Sequence, residues 1–213
     1  VWSRFWVDDI FMICPFLARL GKITRDKKYY EAAMHQITLY AKRLQNKDTA
    51  LFYHAWFPDQ DQTSPCYWAR GNGWALMAVA EVLSIVPEDH PKRKRLIEML
   101  KSQVSALIRL QDKSGMWHTV LDKEDTYLET SATAMFTYGI TKAMKEGMIE
   151  NKYWDNVKKG WKAITRMVSK DGMVTGVSLG TLPGDWEHYN RISVGVTTWG
   201  TGAFLLAACE LPE

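Results

Sequence analysis

The sequence predicts an all-α protein built as a toroid of helix pairs, here incomplete, with about seven helices. Three observations carry this prediction. Apolar residues recur three and four positions apart along nearly the whole chain. Amphipathic helices alternate with more uniformly apolar ones, as outer and inner layers of a ring would. A unit of helix, polar turn and short extended piece also repeats. It reads RLQNKDTALFYHAW over 43–56, RLQDKSGMWHTVLD over 109–122 and, more weakly, MVSKDGMVTGVSLG over 167–180. Seven helices do not close a double ring of twelve, so residues 1–213 are read as a single domain forming part of such a ring.

The elements follow in order. A first helix is predicted over 8–20, containing Pro15 and ended by Gly21. Thr24 or Asp26 caps a second, whose stripe is Tyr30, Ala33, Ile37, Tyr40 and Leu44. A long loop over 46–65 leads to a third helix carrying Trp74, Met77, Ala78, Glu81, Val82 and Ile85, stopped by Pro87. Ser64 and Pro65 mark where that helix could start, which puts Trp68 and Arg70 in or near its first turn. The fourth begins near Pro91 with Leu96, Leu100, Val104 and Leu107. The fifth covers 131–145. The sixth carries Trp154, Val157, Trp161, Ile164 and Val168. The last, 198–208, is small and apolar on every side, which predicts an interior position.

Composition excludes several classes. A net charge of +3, with one basic cluster at 92–95, gives no case for nucleic acid. No apolar run reaches the length of a membrane span. Three widely spaced cysteines offer neither a disulfide framework nor a metal spacing. Val1 opens directly into an aromatic run with no signal peptide, which reads as a start part-way through a domain. The compartment is left open between cytoplasm and periplasm. Ten tryptophans suit a site that stacks flat rings, sugars included, although many will be core.

Two stretches attract attention as chemistry. Asp8 and Asp9 lie within Phe5, Trp6, Phe11 and Met12, an apolar setting that penalises an ionised carboxylate unless it is paired, protonated or at work. The structural alternative is an N-terminal cap facing the helix dipole. A helix sends the two carboxylates about 100° apart. Phe11, Met12, Pro15 and Ala18 share a side with Asp8, while Ile13, Phe16 and Leu20 share one with Asp9, so spacing leaves the choice open. The second stretch, 52–74, gathers His54, Trp56, Trp68, Arg70, Asn72 and Trp74 around two glycines. Arg70 near a helix start opposes the dipole, which marks it as a binding candidate for an anionic, flat ligand, although Trp74 also fits a core position. Of the other histidines, His35 and His90 read as surface. His118 falls on the rim in the second repeat. His188 lies in a late loop, either lining the same mouth or exposed.

Taken together, WVDDIFM, PFLARLG, HAW, SPCYWARGNGW, YLETSATAMFTYGI and GTGAFLLAACE, in that order, resemble glycoside hydrolase family 105. Those are the unsaturated rhamnogalacturonyl hydrolases, related to the unsaturated glucuronyl hydrolases of family 88. The resemblance implies an (α/α)6 six-hairpin toroid, of which the amino-terminal helices are missing here. It also implies removal of a 4,5-unsaturated uronic acid from lyase-generated oligosaccharides by acid-catalysed hydration of the C4–C5 double bond. The motifs map the acid onto Asp8, and Asp9 departs from the small residue common in the family. His54, Trp68 and Arg70 match the remaining motif positions. The candidate site is therefore Asp8 as catalytic acid, with Asp9, His54, Trp56, Trp68, Arg70, Trp74 and His118 around the substrate. No cofactor or metal is implied. The expected partners are the unsaturated oligosaccharide and a second copy meeting the open edge of the ring, with neither nucleic acid nor membrane. The alternative function is a non-catalytic carbohydrate-binding or assembly module derived from the same fold.

Overall fold

The computed structural model describes residues 4–211. Its helices are α1 (Asp9–Thr24), α2 (Lys27–Leu44), α3 (Ala69–Ile85), α4 (Arg93–Arg109), α5 (Thr130–Lys145), α6 (Trp154–Thr165), α7 (Trp186–Asn190) and α8 (Thr198–Glu210). The expected alternation holds. Helices α1, α3, α5 and α8 pack side by side in that order as an inner row, and α2, α4 and α6 lie outside them. Helix α2 buries one stripe, Ala33, Ile37, Tyr40 and Leu44, whereas α3 and α5 are buried over nearly their whole length.

Burying α5 all round requires its polar groups to find partners. Thr133, Thr137 and Thr141 each donate their hydroxyl to the carbonyl four residues earlier, at 2.8, 2.8 and 2.6 Å. The hydroxyls thereby find acceptors within the helix, and Thr133 Oγ1 also accepts from the Trp117 N–H at 3.2 Å.

Short antiparallel strands close each helix hairpin at one rim. Strands β1 (Phe5–Trp6), β2 (Ala55–Phe57) and β3 (Gln62–Thr63) form one sheet; β4 (Trp117–His118) pairs with β5 (Leu128–Glu129), and β6 (Val177–Ser178) with β7 (Val194–Gly195). The register sets Phe5 opposite Trp56, Trp117 opposite Glu129 and Val177 opposite Gly195. The repeated extended pieces have a common task. The backbone N–H at each inner-helix entry donates to the piece that follows the hairpin's outer helix: Val7 to His54 at 2.9 Å, Ala69 to Thr119 at 2.9 Å and Thr130 to Gly176 at 3.1 Å. These are donors that a helix start leaves without a partner.

At the opposite end a polar belt ties the inner row together. Glu81 of α3 accepts from Arg19 of α1 and from the Tyr138 hydroxyl of α5. Lys142 of α5 lies 3.7 Å from Glu81 and 3.9 Å from Glu210 of α8. The inner helices therefore run parallel, with their N-termini at the strand-bearing rim.

Five expectations need correction. Helix α1 passes through Pro15 and Gly21 and ends at Thr24, with Arg25 left-handed at φ 58°. Gly21 allows close approach to α2 instead, since a β-carbon there would stand 2.8 Å from the Tyr30 ring. Helix α3 starts at Ala69, and α6 stops at Thr165, after which Val168 bridges to Val174. His188 lies in the short helix α7 and not in a loop. The last helix is not enclosed: Gly200, Ala203 and Ala207 are buried, but Leu205 and Leu206 are 56% and 40% exposed.

Those leucines face open solvent at one end of the inner row, and α1 does the same at the other with Met12, Ile13, Phe16 and Ile23 exposed. Contiguous apolar surface of this kind favours association. Sedimentation velocity should show a mass rising above the monomer with concentration, and Phe16→Glu combined with Leu205→Glu should lower it. A strictly monomeric parent chain at high concentration would refute a sticky edge.

Candidate active site

Because the inner helices are parallel, the residue just before each one arrives at the same rim. These N-cap positions hold Asp8, Trp68, Glu129 and Thr197. A cleft of about 320 Å³ opens there, lined by Asp8, Met12, Trp68, Arg70, Trp74, Gly180, Thr181 and Trp199. A larger groove of about 590 Å³ runs between α2 and α4 on the outside, and none of the candidate residues lines it.

The adjacent carboxylates part company as the helix geometry requires. Asp9 turns outward, accepting from the Trp6 N–H at 3.3 Å and from the Tyr40 hydroxyl of α2 at 3.1 Å. It joins the strand to the helix and the inner layer to the outer. Asp8 occupies the N-cap position, yet its side chain makes no capping bond and lines the cleft instead. Its Oδ2 is buried without a hydrogen-bond partner, 3.6 Å from Nε2 of His54. Desolvation pushes the Asp8 carboxyl up to about 6, against the opposing pull of its backbone and of Arg70.

His54 is buried between aromatic rings, 4.3 Å from Trp68 and edge-on to Trp6 at 5.1 Å. Its Nδ1 is 2.7 Å from the Tyr189 hydroxyl. Burial, helped by the Arg70 charge, lowers its pKa to about 3, so the ring is neutral.

Arg70 is also buried, and its charge is answered. Nη1 donates to the Ser178 carbonyl at 2.8 Å and to the Ser178 hydroxyl, and Nη2 donates to the Leu179 carbonyl at 2.9 Å. Glu129 Oε1 lies 3.7 Å away, itself fully buried. Glu129 also accepts from Ala132 N–H at 2.6 Å, capping α5, and from Ser178 N–H at 2.9 Å, anchoring β6. The Arg70 guanidinium sits 4.4 Å from the Trp68 ring and 5.4 Å from Trp199. Its Nε and second Nη2 hydrogen have no partner among the described residues.

Of the residues expected at the site, Asp8, Trp68, Arg70 and Trp74 line the cleft and His54 stands behind Asp8. Trp74 is half-buried and tilts on Phe11 at 4.8 Å, so it serves packing and lining together. Three others go elsewhere. Asp9 is occupied by Trp6 and Tyr40. Trp56 lies under Arg43 at 4.4 Å and donates to Asp61 at 3.2 Å, in a separate groove outside α2. His118 is bound through Nδ1 to the Thr126 carbonyl and is absent from the cleft wall. The sequence reading did not single out Glu129, Tyr189 or Trp199. A glutamate immediately before a small-residue helix start was the available signal for the first; the other two depend on long-range folding. Among the described residues no group of three His, Cys, Asp or Glu is arranged to hold a metal ion, and no helix is long and apolar enough to cross a membrane.

The chain is similar to known proteins along nearly its whole length. The model of the family described as Glycosyl Hydrolase Family 88 matches residues 2–213. The chain is 38% identical to the unsaturated rhamnogalacturonyl hydrolase YesR of Bacillus subtilis over 94% of its own length and 57% of that protein. It is 33% identical to an unsaturated 3S-rhamnoglycuronyl hydrolase of Alteromonas sp., covering 97% of itself and 50% of that protein. It also superposes on the crystal structure of a possible member of the GH105 family from Salmonella enterica with a TM-score of 0.93 and 34% identity, over 97% of this chain and 56% of the other. The chain thus spans about half the length of the curated relatives it matches.

Two stability effects follow from the rim. Glu129→Ala leaves Arg70 buried without a countercharge and two N–H groups without an acceptor, so urea unfolding should register a loss of about 3–5 kcal/mol. Asp8 acts the other way. A carboxyl raised from 3.8 to about 6 on folding favours the folded state below pH 4 and loses that contribution as the pH rises through about 6. His54, depressed from 6.5 to about 3, contributes above pH 6.5 and loses its contribution as the pH falls toward 3. Asp8→Asn should therefore match the parent near pH 4 and exceed it above pH 7 by on the order of 2 kcal/mol. Equal stability of the two at high pH would show that Asp8 ionises without cost.

Proposed function

The chain belongs to glycosyl hydrolase family 88, and we propose that its cleft removes a 4,5-unsaturated uronic acid from the non-reducing end of oligosaccharides left by a polysaccharide lyase. The observation that carries this is Asp8: an unpaired carboxyl at the N-cap of an inner helix, raised to about 6 and lining a cleft with tryptophans and a buried arginine. The printed activities of the Bacillus and Alteromonas relatives support the substrate class.

The chemistry asks for an acid able to protonate carbon. In this reading Asp8 delivers its proton to C4 of the enol ether, and positive charge develops at C5 and the ring oxygen. Water adds at C5 and gives up a proton, which restores the Asp8 carboxyl. The resulting hemiketal opens at the C5–O5 bond to a ketone, and the hemiacetal left at C1 expels the sugar below. A carboxyl of ordinary acidity would hold almost no proton near neutral pH, so desolvation of Asp8 is what makes the first step accessible. Arg70 offers its free Nε and Nη2 hydrogens as a side-on fork for the uronate carboxylate. Trp68, Trp74 and Trp199 supply faces for the ring.

The test is loss of the ultraviolet absorbance of the conjugated uronate when a lyase-digested pectic disaccharide is added. Asp8→Asn should lower turnover at least about a hundredfold, and Asp9→Asn, whose partners are Trp6 and Tyr40, should be milder. The parent rate should fall as the pH rises above about 6, where the acid form is lost. A reversed order of the two variants would move the acid to Asp9. Binding of the disaccharide without any absorbance loss would instead favour a carbohydrate-binding module.

A further inference from the structure

Tyr189 is completely buried although it sits on α7, a helix of only five residues in an otherwise exposed segment. Asp185 caps that helix by accepting from the His188 N–H at 2.7 Å. The turn so formed sends His188 outward to Thr181 and Tyr189 inward beneath the rim. There the Tyr189 ring stacks on Trp68 at 6.1 Å with 17° between planes, and its hydroxyl has two neighbours, Gly184 N at 3.3 Å and His54 Nδ1 at 2.7 Å.

A backbone N–H can only donate, so the Tyr189 oxygen accepts from Gly184. Its own hydrogen has no other acceptor among the described residues than Nδ1 of His54. A neutral imidazole that accepts at Nδ1 carries its proton on Nε2. Nε2 is the atom facing Asp8, and both it and Asp8 Oδ2 are buried without a hydrogen-bond partner. Their 3.6 Å separation exceeds a hydrogen bond, and gaps of that size in an empty site commonly tighten once substrate excludes water.

We propose that Tyr189 is a positioning residue that locks His54 in its Nε2–H tautomer and so aims a neutral donor at the Asp8 carboxyl. The inference rests on the reading of Asp8 as the acid. With the opposite tautomer a lone pair would face Asp8 and repel the carboxylate left after proton transfer. With Nε2–H in place, that carboxylate gains a partner without a second formal charge entering the cleft. The other ionisable groups facing Asp8 are Arg70 from α3 and its neighbour Asp9; those facing His54 are Arg70 and His188.

The tautomer can be read directly in the intact chain by long-range ¹H–¹⁵N correlation of the histidine rings. The expected result is an unprotonated Nδ1 and a protonated Nε2 for His54. Tyr189→Phe keeps the ring stack but loses the hydroxyl, so the His54 signals should move toward a mixture of tautomers. In the same variant the Asp8 carboxyl midpoint, followed by ¹³C, should rise, by less than the roughly one pH unit that a whole hydrogen bond to the anion is worth, because a lone pair replaces the facing N–H in part of the molecules. A protonated Nδ1 in the parent would overturn the proposal without any variant. An unchanged tautomer in Tyr189→Phe, or an unmoved Asp8 midpoint, would do the same. Absence of turnover on unsaturated disaccharides would count against the acid role of Asp8 and would leave the ring spectra as they are, so the two failures can be told apart.

Discussion

Arg70 enters the first turn of α3 with its guanidinium buried, at the end of a helix that disfavours a cation. Glu129 and the carbonyls of Ser178 and Leu179 make that position tolerable. The arrangement joins three consecutive parts of the ring: Arg70 from α3, Glu129 from the start of α5 and β6 from the hairpin after it. Because Glu129 also caps α5 and holds the Ser178 amide, one carboxylate fixes a helix start, a strand and a charge together. The cleft walls on that side, Gly180, Thr181 and Trp199, continue directly from this anchor. Buried ion pairs are costly to assemble and damaging to break, which is a reasonable price for a rim whose other members must remain unsatisfied.

Those other members are Asp8 and His54. Desolvation favours the neutral form of both, and both carry a buried polar atom with no partner. Their pH dependences oppose one another between about pH 4 and 6, where rising pH weakens the fold through Asp8 and strengthens it through His54. The site thus avoids a steep change in stability across the range in which its carboxyl titrates.

The architecture was largely legible because helix spacing and the repeat are local properties. The stripe of α2, the Asp26 cap and the alternation of amphipathic with apolar helices needed no knowledge of tertiary contacts. Ends were less legible: Gly21 reads as a stop until Tyr30 of the next helix is seen against it. Helix α8 reads as interior because its composition is apolar on all sides, yet among the described residues it is the face of Gly200, Ala203 and Ala207 that is buried. At the rim, Asp8, Trp68 and Arg70 stood near inner-helix starts in the sequence and line the cleft, although the α3 N-cap itself, Trp68, was not readable. Trp56 and His118 lie away from the cleft because their partners, Arg43 and Asp61 for the first and the Thr126 carbonyl for the second, are set by the packing of α2 and of the loop after β4, which no local pattern displays. Tyr189 was missed by one position, with its neighbour His188 drawing the attention; no local pattern says which side of a five-residue helix meets a ring 135 residues earlier.

The amides of Val7, Ala69 and Thr130 each join the entry of an inner helix to the exit of its own hairpin. None of the three can be released while both ends of its hairpin stay in place. In proteins made of stacked units, opening tends to proceed unit by unit, with each unit's cost set by itself and its neighbours. These three amides are therefore natural reporters of that process. Their rates of exchange with deuterium would give, for each hairpin separately, the free energy of its detachment. The molecule carries its own gauge of how evenly its stability is shared around the ring.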